Sequence, residues 1–342
     1  METIDKARSK HIFLLIFLLI LSFFVFAFCV GFGSVRIDLK EVIQIIFNRE
    51  LSNSTNKDII MDIRLPRAIA TLVGGATLAL SGLLLQIFFK NPIVEPYILG
   101  ISSGATLFVA LVMLGGFSLG FENPSAYMLV LGAFLGSLLV MMLVVVFAMR
   151  VKNIITLLII GIMVGYICSA VTNILTAFAD KEQLYGFIMW TKGSFSGFTW
   201  NNVGVLTSIG IPILIASFFT VKPLNAFLMG EEYAKSMGVN IKKFRLIIIL
   251  IASILTAVTT AFTGPIAFIG LAVPHISRLI FKTSDNRVLI PGTVILGAIV
   301  TAFCDLICRT LFAPVELPIS AITSFIGAPI VIYLILKRRA SL

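Results

Sequence analysis

Charges inside apolar stretches are the first place to look for chemistry, because hydrocarbon tolerates them only with a partner or a task. Asp305 and Arg309 stand four apart in the apolar run 288–311, hence on one helix face, with Glu316 just beyond. Two readings stay open for them: a local ion pair that makes burial tolerable, or a functional cluster. Arg64 and Arg67, in Arg64-Leu65-Pro66-Arg67, open a second apolar run. Pro66 suits a first helical turn, which fixes both arginines near one membrane rim. They are either helix-end cations that snorkel, or, with Arg309, three charges offered to the carboxylates of an external partner. A third polar feature is Lys222 to Arg245, KPLNAFLMGEEYAKSMGVNIKKFR, between almost uncharged segments. It reads as a solvated loop or as a surface gripped by a soluble protein. Gly230 breaks its helix-forming run, and Gly238 reads as a helix-ending glycine. Finally, Gly161, Gly165, Ser169, Thr172 and Thr176 recur at spacings of three and four, as do Ser320, Thr323 or Ser324, and Gly327. Small-residue stripes of this kind mean close helix packing first and a polar pathway second. Gly100-x-x-x-Gly104 and Gly132-x-x-x-Gly136 read as packing outright.

What is missing narrows the chemistry further. The chain has no G-x-x-x-x-G-K-[ST] phosphate loop, since Lys235-Ser236 lacks the preceding glycine. It has no nucleophile elbow, no H-E-x-x-H and no paired buried carboxylates. His11 and His275 are isolated, and His275, after Pro274, reads as a structural hydrogen-bonding residue. Cys29, Cys168, Cys304 and Cys308 all fall in apolar runs without zinc spacing and read as small packing residues. No catalytic residue, cofactor or metal site is expected on this chain, and a membrane enzyme is unsupported.

The elements that must carry these residues are membrane helices. Of 342 residues, 59% are hydrophobic and 12% charged, with a mean hydropathy of +1.08. A soluble domain carries about twice that charge. Apolar runs near 20 residues recur, each long enough to cross roughly 30 Å of hydrocarbon. The expected fold is an all-α polytopic membrane protein, one transmembrane domain over 1–342 with its core at 12–336. Spans are expected near 12–32, 64–89, 96–116, 125–149, 153–178, 202–221, 244–262, 263–282, 288–311 and 318–336. Residues 39–47 make a short interfacial helix, and 180–200 an outer segment holding both tryptophans. That is ten crossings with both termini inside. Under this topology 17 of the 26 Lys and Arg fall inside with six of the 16 acids, so the inner face is +11 and the outer face −1. The net charge of +10 is therefore the positive-inside bias of an inserted protein and not a nucleic-acid patch. The first apolar run is too long for a signal-peptide core and reads as a retained helix. Phe89-Lys90-Asn91-Pro92-Ile93 faintly echoes Phe262-Thr263-Gly264-Pro265-Ile266, on opposite faces, as an inverted repeat requires.

Several stretches together resemble the iron-siderophore, haem and vitamin B12 importer permeases of bacterial ABC transporters. They are Arg64-Leu65-Pro66-Arg67, Gly82-Leu83-Leu84-Leu85-Gln86 through Asn91-Pro92 and Glu95-Pro96 to Leu99-Gly100, and Gly230 to Val239. Further on come Gly264 to Leu271, Pro274-His275-Ile276-Ser277-Arg278, Glu316-Leu317-Pro318 and Gly327-Ala328-Pro329. The resemblance implies a type II importer permease in the cytoplasmic membrane that moves an iron chelate, a ferric siderophore first, with haem or cobalamin as alternatives. It implies that Gly230, Glu231, Glu232, Ala234, Lys235, Ser236, Met237, Gly238 and Val239 seat on a separate cytoplasmic ATPase dimer, which carries the ATP and magnesium. Arg64, Arg67 and Arg309 match outer arginines that meet a substrate-binding protein. The stripes Gly161 to Thr176 and Ser320 to Gly327 would line a passage between two permease subunits, identical or related. Ser320 stands where the family usually has glycine, which bears on the local gate geometry. The competing class is an ion-gradient-driven transporter, which would want a carboxylate near mid-membrane, and Asp305 is the candidate read for it.

Overall fold

The computed structural model describes residues 2–47, 54–114, 125–151 and 153–339. The expected exit of the third span at Gly116 and the inner charge Lys152 lie outside the described residues. In chain order the helices are α1 (Glu2–Gly31), α2 (Leu39–Phe47), α3 (Ser54–Asp58), α4 (Leu65–Phe88), α5 (Ile101–Leu114), α6 (Ala126–Arg150), α7 (Ile154–Ala177) and α8 (Lys181–Thr191). They continue as α9 (Trp200–Ala216), α10 (Val221–Leu228), α11 (Glu231–Ser236), α12 (Ile241–Thr263), α13 (Ile269–Phe281), α14 (Asn286–Thr310) and α15 (Ile319–Arg339). Among the described residues seven helical stretches are long and apolar enough to cross a membrane, and α5, α13 and Ile319–Ile332 are shorter apolar helices. Together these are the ten expected crossings. Below, the inner end of the bundle is the end that carries α10 and α11.

The bundle is built around α4. In its most apolar window 83% of the residues are buried, against 11% for α1, so α4 forms the centre and α1 the rim. Its partners α12 and α14 run antiparallel to it. Towards α12, Thr77 Oγ1 meets Thr259 Oγ1 at 2.6 Å and Ser81 Oγ donates to Ala252 O at 2.8 Å. Such hydroxyl pairs join helices where lipid offers no hydrophobic drive. Towards α14, a Cβ added at Gly75 would lie 2.3 Å from Gly297 O, so glycine alone allows that crossing. Gly104 and Gly136 seat α5 on α6 in the same way.

Two of the ten crossings do not start at a membrane surface. After α4 ends at the inner side, residues 89–95 climb back into the bundle. Pro96 then packs on Gly270, and Gly270 in turn packs on Leu78 O and Gly82 of α4. Those α4 residues precede its end by six to ten positions, which at 1.5 Å per residue is about 9–15 Å of depth. Gly100 touches Gly161 and Gly165, a similar distance above the start of α7. So α5 begins near mid-depth and runs outward, whereas α13 begins near mid-depth and runs inward. Proline and positive φ explain the breaks: Pro92, Pro96 and Gly100 (φ 75°) on one side, Gly264 (φ 67°), Pro265 and Phe268 (φ 68°) on the other.

Residues 180–200, read above only as an outer segment, contain α8. The expected interfacial helix coincides with α2. A π-type stretch, Ile59–Arg64, joins α3 to α4, so Arg64 and Arg67 lie within continuous helix. Tied ends hold the frame: His11 Nε2 lies 3.1 Å from Phe281 O, and His275 Nε2 lies 2.9 Å from Pro92 O, the structural bond expected of His275. The four cysteines are free and buried.

Candidate functional site

Three groupings carry the residues singled out from the sequence. At the outer end, Arg67 lies on α4, Asp305 and Arg309 on α14, and Glu316 on the linker to α15. Arg67 donates to Asp305 through Nε (3.1 Å) and Nη2 (2.9 Å), and to Glu316 through Nη1 (2.8 Å) and Nη2 (3.2 Å). Arg309 stands 3.6 Å from Asp305 and donates to Cys29 O at 2.6 Å. Arg64 donates to Val30 O at 3.2 Å and Gly31 O at 2.8 Å, the carbonyls that end α1, and also to Val35 O in the segment that follows. Arg64, Arg67 and Arg309 are 3%, 6% and 5% exposed. In this structure the three guanidiniums face carboxylates and carbonyls of the chain itself. A guanidinium leaving water needs acceptors, and two carboxylates plus carbonyls at and just beyond the end of α1 supply most of them. The cluster unites α1, α4 and α14, and only the Glu316 side chain, 40% exposed, reaches the surface.

At the inner end, α10 and α11 form a hairpin. Gly230 breaks it with φ 124°, a conformation that L side chains rarely adopt. Beyond α11, Gly238 N donates to Lys235 O (2.9 Å) and Val239 N to Ala234 O (3.0 Å), a Schellman closure with Gly238 at φ 83°. Ala234 is fully buried, so α11 is clamped on one side. Glu231 accepts two bonds from Arg245 of α12 at 3.1 Å, and Arg245 also donates to Val151 O beyond the end of α6. Glu232 pairs with Lys235 at 2.6 Å on the surface, and this contact holds the Lys235 ammonium above the usual lysine range. Met229, Tyr233 and Met237 project into solvent, 76%, 49% and 63% exposed. The family resemblance put residues 230–239 on this hairpin, and Met229 lies just outside that stretch.

Between these ends, a cavity of about 240 Å³ is lined by Tyr97, Ser102, Ser103, Thr106, Ser169, Thr172, Asn173, Phe187 and Pro265. Only two members of the α7 stripe reach it. Gly161 and Gly165 pack on Gly100 and Ser103, and Thr176 donates to Asn173 O at 2.9 Å within its own helix. The α15 stripe turns to the break before α13. There Ser320 donates to Pro265 O (3.0 Å), Thr323 to Ala267 O (2.9 Å), and Gly327 faces Phe268. Ser324 donates to Ser320 O at 2.5 Å, inside α15. The two stripes thus meet through residues 265–268 and not directly. Glu95 lies at the start of the re-entrant turn and accepts from Phe268 N at 3.3 Å. It is a carboxylate near mid-depth, beside the break that precedes α13.

Comparison with known proteins gives these groupings a family. The model of the FecCD transport family matches residues 14–337. The hemin transport system permease HmuU of Yersinia pestis is 36% identical over 296 residues, 85% of this chain and 88% of that protein. The vitamin B12 import system permease BtuC of Salmonella arizonae is 37% identical over 284 residues, 81% and 83% of the two chains. A solved inward-facing conformation of a metal-chelate type ABC transporter superposes with a TM-score of 0.83 at 28% identity, covering 95% of this chain and 99% of that one. With nearly its whole length matched and its helices following the same path, the chain belongs to the FecCD family, as a multi-pass permease of ABC importers in the cytoplasmic membrane.

Proposed function

We propose that this permease moves a ferric siderophore-type iron chelate inward, driven by a separate cytoplasmic ATPase dimer that seats on Gly230–Val239. The observation that carries the coupling half of this reading is the α10–α11 hairpin, which shows Met229, Tyr233 and Met237 outward while Glu231 ties it to α12. The chain has no phosphate loop of its own, so force must enter from a partner, and ATP-driven closure of that partner would tilt the spans attached to the hairpin. The cargo half rests on the relatives, a hemin permease and a vitamin B12 permease, and on the uncharged polar cavity. In this reading both termini face the cytoplasm and a second permease, identical or related, completes the passage beside Ser169 and Thr172. Arg64, Arg67 and Arg309 meet a substrate-binding protein only if it displaces Glu316 or the end of α1, their present partners.

The second reading, an ion-gradient-driven transporter, gains one observation: Glu95 stands where two broken helices meet, a better-placed carboxylate than Asp305. Uptake of a radiolabelled ferric trihydroxamate into proteoliposomes separates the two. The ABC reading expects uptake that requires the ATPase, ATP and the binding protein and that persists with an uncoupler. Uptake driven by a proton or sodium gradient without nucleotide refutes it.

A further inference from the structure

The cavity beside α7 has a chemistry of its own. Its walls hold the hydroxyls of Tyr97, Ser102, Ser103, Thr106, Ser169 and Thr172 and the amide of Asn173, with no cation and no carboxylate among them. Two of these groups stand out. Tyr97 Oη and Ser102 Oγ are buried side by side, with each other and the Ile266 backbone as their loosely held neighbours. A hydroxyl has one donor and two acceptor sites, so this loosely bonded pair keeps the capacity to bond an occupant of the cavity. The cavity also holds none of the His, Cys, Asp or Glu side chains that ligate iron, so it does not touch a metal.

Size restricts the occupant. At about 30 Å³ per water the 240 Å³ cavity has room for about eight waters, which is below the range for a whole drug-sized ligand. It fits one projecting arm of a larger molecule. Charge restricts it again, because an ionised carboxylate buried against hydroxyls alone keeps most of its desolvation penalty. An amide or a hydroxyl both donates and accepts, and it matches a wall of hydroxyls without that cost.

We infer that this cavity is a specificity pocket for an uncharged amide- or hydroxyl-bearing arm of the transported chelate, with Tyr97 Oη and Ser102 Oγ as its hydrogen-bonding groups. The inference rests on the permease reading above. It further states that cargoes with amide peripheries are carried in preference to cargoes whose free arms are carboxylates. Pro265 ties the pocket to transport geometry, since it lines the cavity and its carbonyl is held by Ser320 of α15.

The test is uptake by the assembled transporter in proteoliposomes with three probes: a ferric trihydroxamate with an amide-bearing periphery, cyanocobalamin with its carboxamide arms, and hemin with its carboxylate arms. The expected result is carriage of an amide-bearing probe, with the KM for that probe raised about five- to tenfold in Tyr97→Phe/Ser102→Ala, the scale of one to two neutral hydrogen bonds. Thr106→Val, which keeps the volume and removes a hydroxyl from the same wall, should raise KM in the same direction and covers the case in which the double variant does not assemble. Preferred carriage of hemin overturns the chemical class. Unchanged KM in the variants with an amide-bearing probe carried overturns the pocket, and its hydroxyls are then served by ordered water alone. Failure to carry any of the three while ATP is hydrolysed overturns the chelate reading and this inference with it.

Discussion

Arg67 holds two carboxylates at once, and removing it strands both. Asp305 is 1% exposed, so Arg67→Ala leaves an ionised group with only the longer contact to Arg309. Breaking one partner out of a buried pair costs about 3–5 kcal/mol. A fall in melting temperature of the detergent-solubilised protein checks this, and an unshifted melt would mean Asp305 is neutral or solvated. Lysine should rescue only in part, because a point charge cannot make four directed bonds to two acids. Asp305 and Arg309 were legible in the sequence as a pair four apart. That Arg67, 238 positions away, is the stronger partner was not, since nothing local records which helix ends meet. Reversing the charge of Arg67 therefore tests stability before it tests docking, and Glu316→Gln is the milder probe of any outer partner.

At the scale of elements, the α10–α11 hairpin was the most readable part of the chain. Gly230 and Gly238 punctuate it, and both take positive φ as turns of that kind require. Gly238→Ala should cost about 1 kcal/mol and loosen the Schellman closure, seen as faster amide exchange of residues 234–239. Two sets of substitutions separate anchoring from contact. Met229→Ser with Tyr233→Ser and Met237→Ser should lower co-purification of the ATPase about tenfold or more while the permease melts normally. Glu231→Lys should lower the melt as well, because it breaks the Arg245 bond, whereas Glu232→Lys touches only a surface pair of small energy. Full ATPase recovery with the three apolar side chains removed would assign the contact elsewhere. The re-entrant elements were less legible. Lys90-Asn91-Pro92 has the composition of a surface turn, and only tertiary packing of Pro96 on Gly270 draws the following residues to mid-depth. The outer helix α8 was missed because Lys181–Thr191 mixes polar and apolar residues without a strong stripe.

For the whole molecule, run length and proline and glycine breaks made the order of the apolar helices legible, whereas α1 starts ten residues earlier than expected and α5 and α13 start later. Orientation is a separate matter and rests on the charge bias. Single cysteines at 182 and 235 should be labelled by an impermeant reagent from opposite sides, and same-side labelling would break the topology. The groupings that do the work were the least visible, because each is assembled from helices far apart in the chain. The cavity draws on α5, α7, α8 and residue 265, and no window of sequence contains its shape. One bond described above reaches beyond its own neighbourhood. Arg245 grips Glu231 on one side and the carbonyl of Val151 on the other, so α11, α12 and the foot of α6 share a single axle. Were a partner to push on the hairpin, this linkage would carry the motion to two spans at once, one of them packed on the buried helix α4.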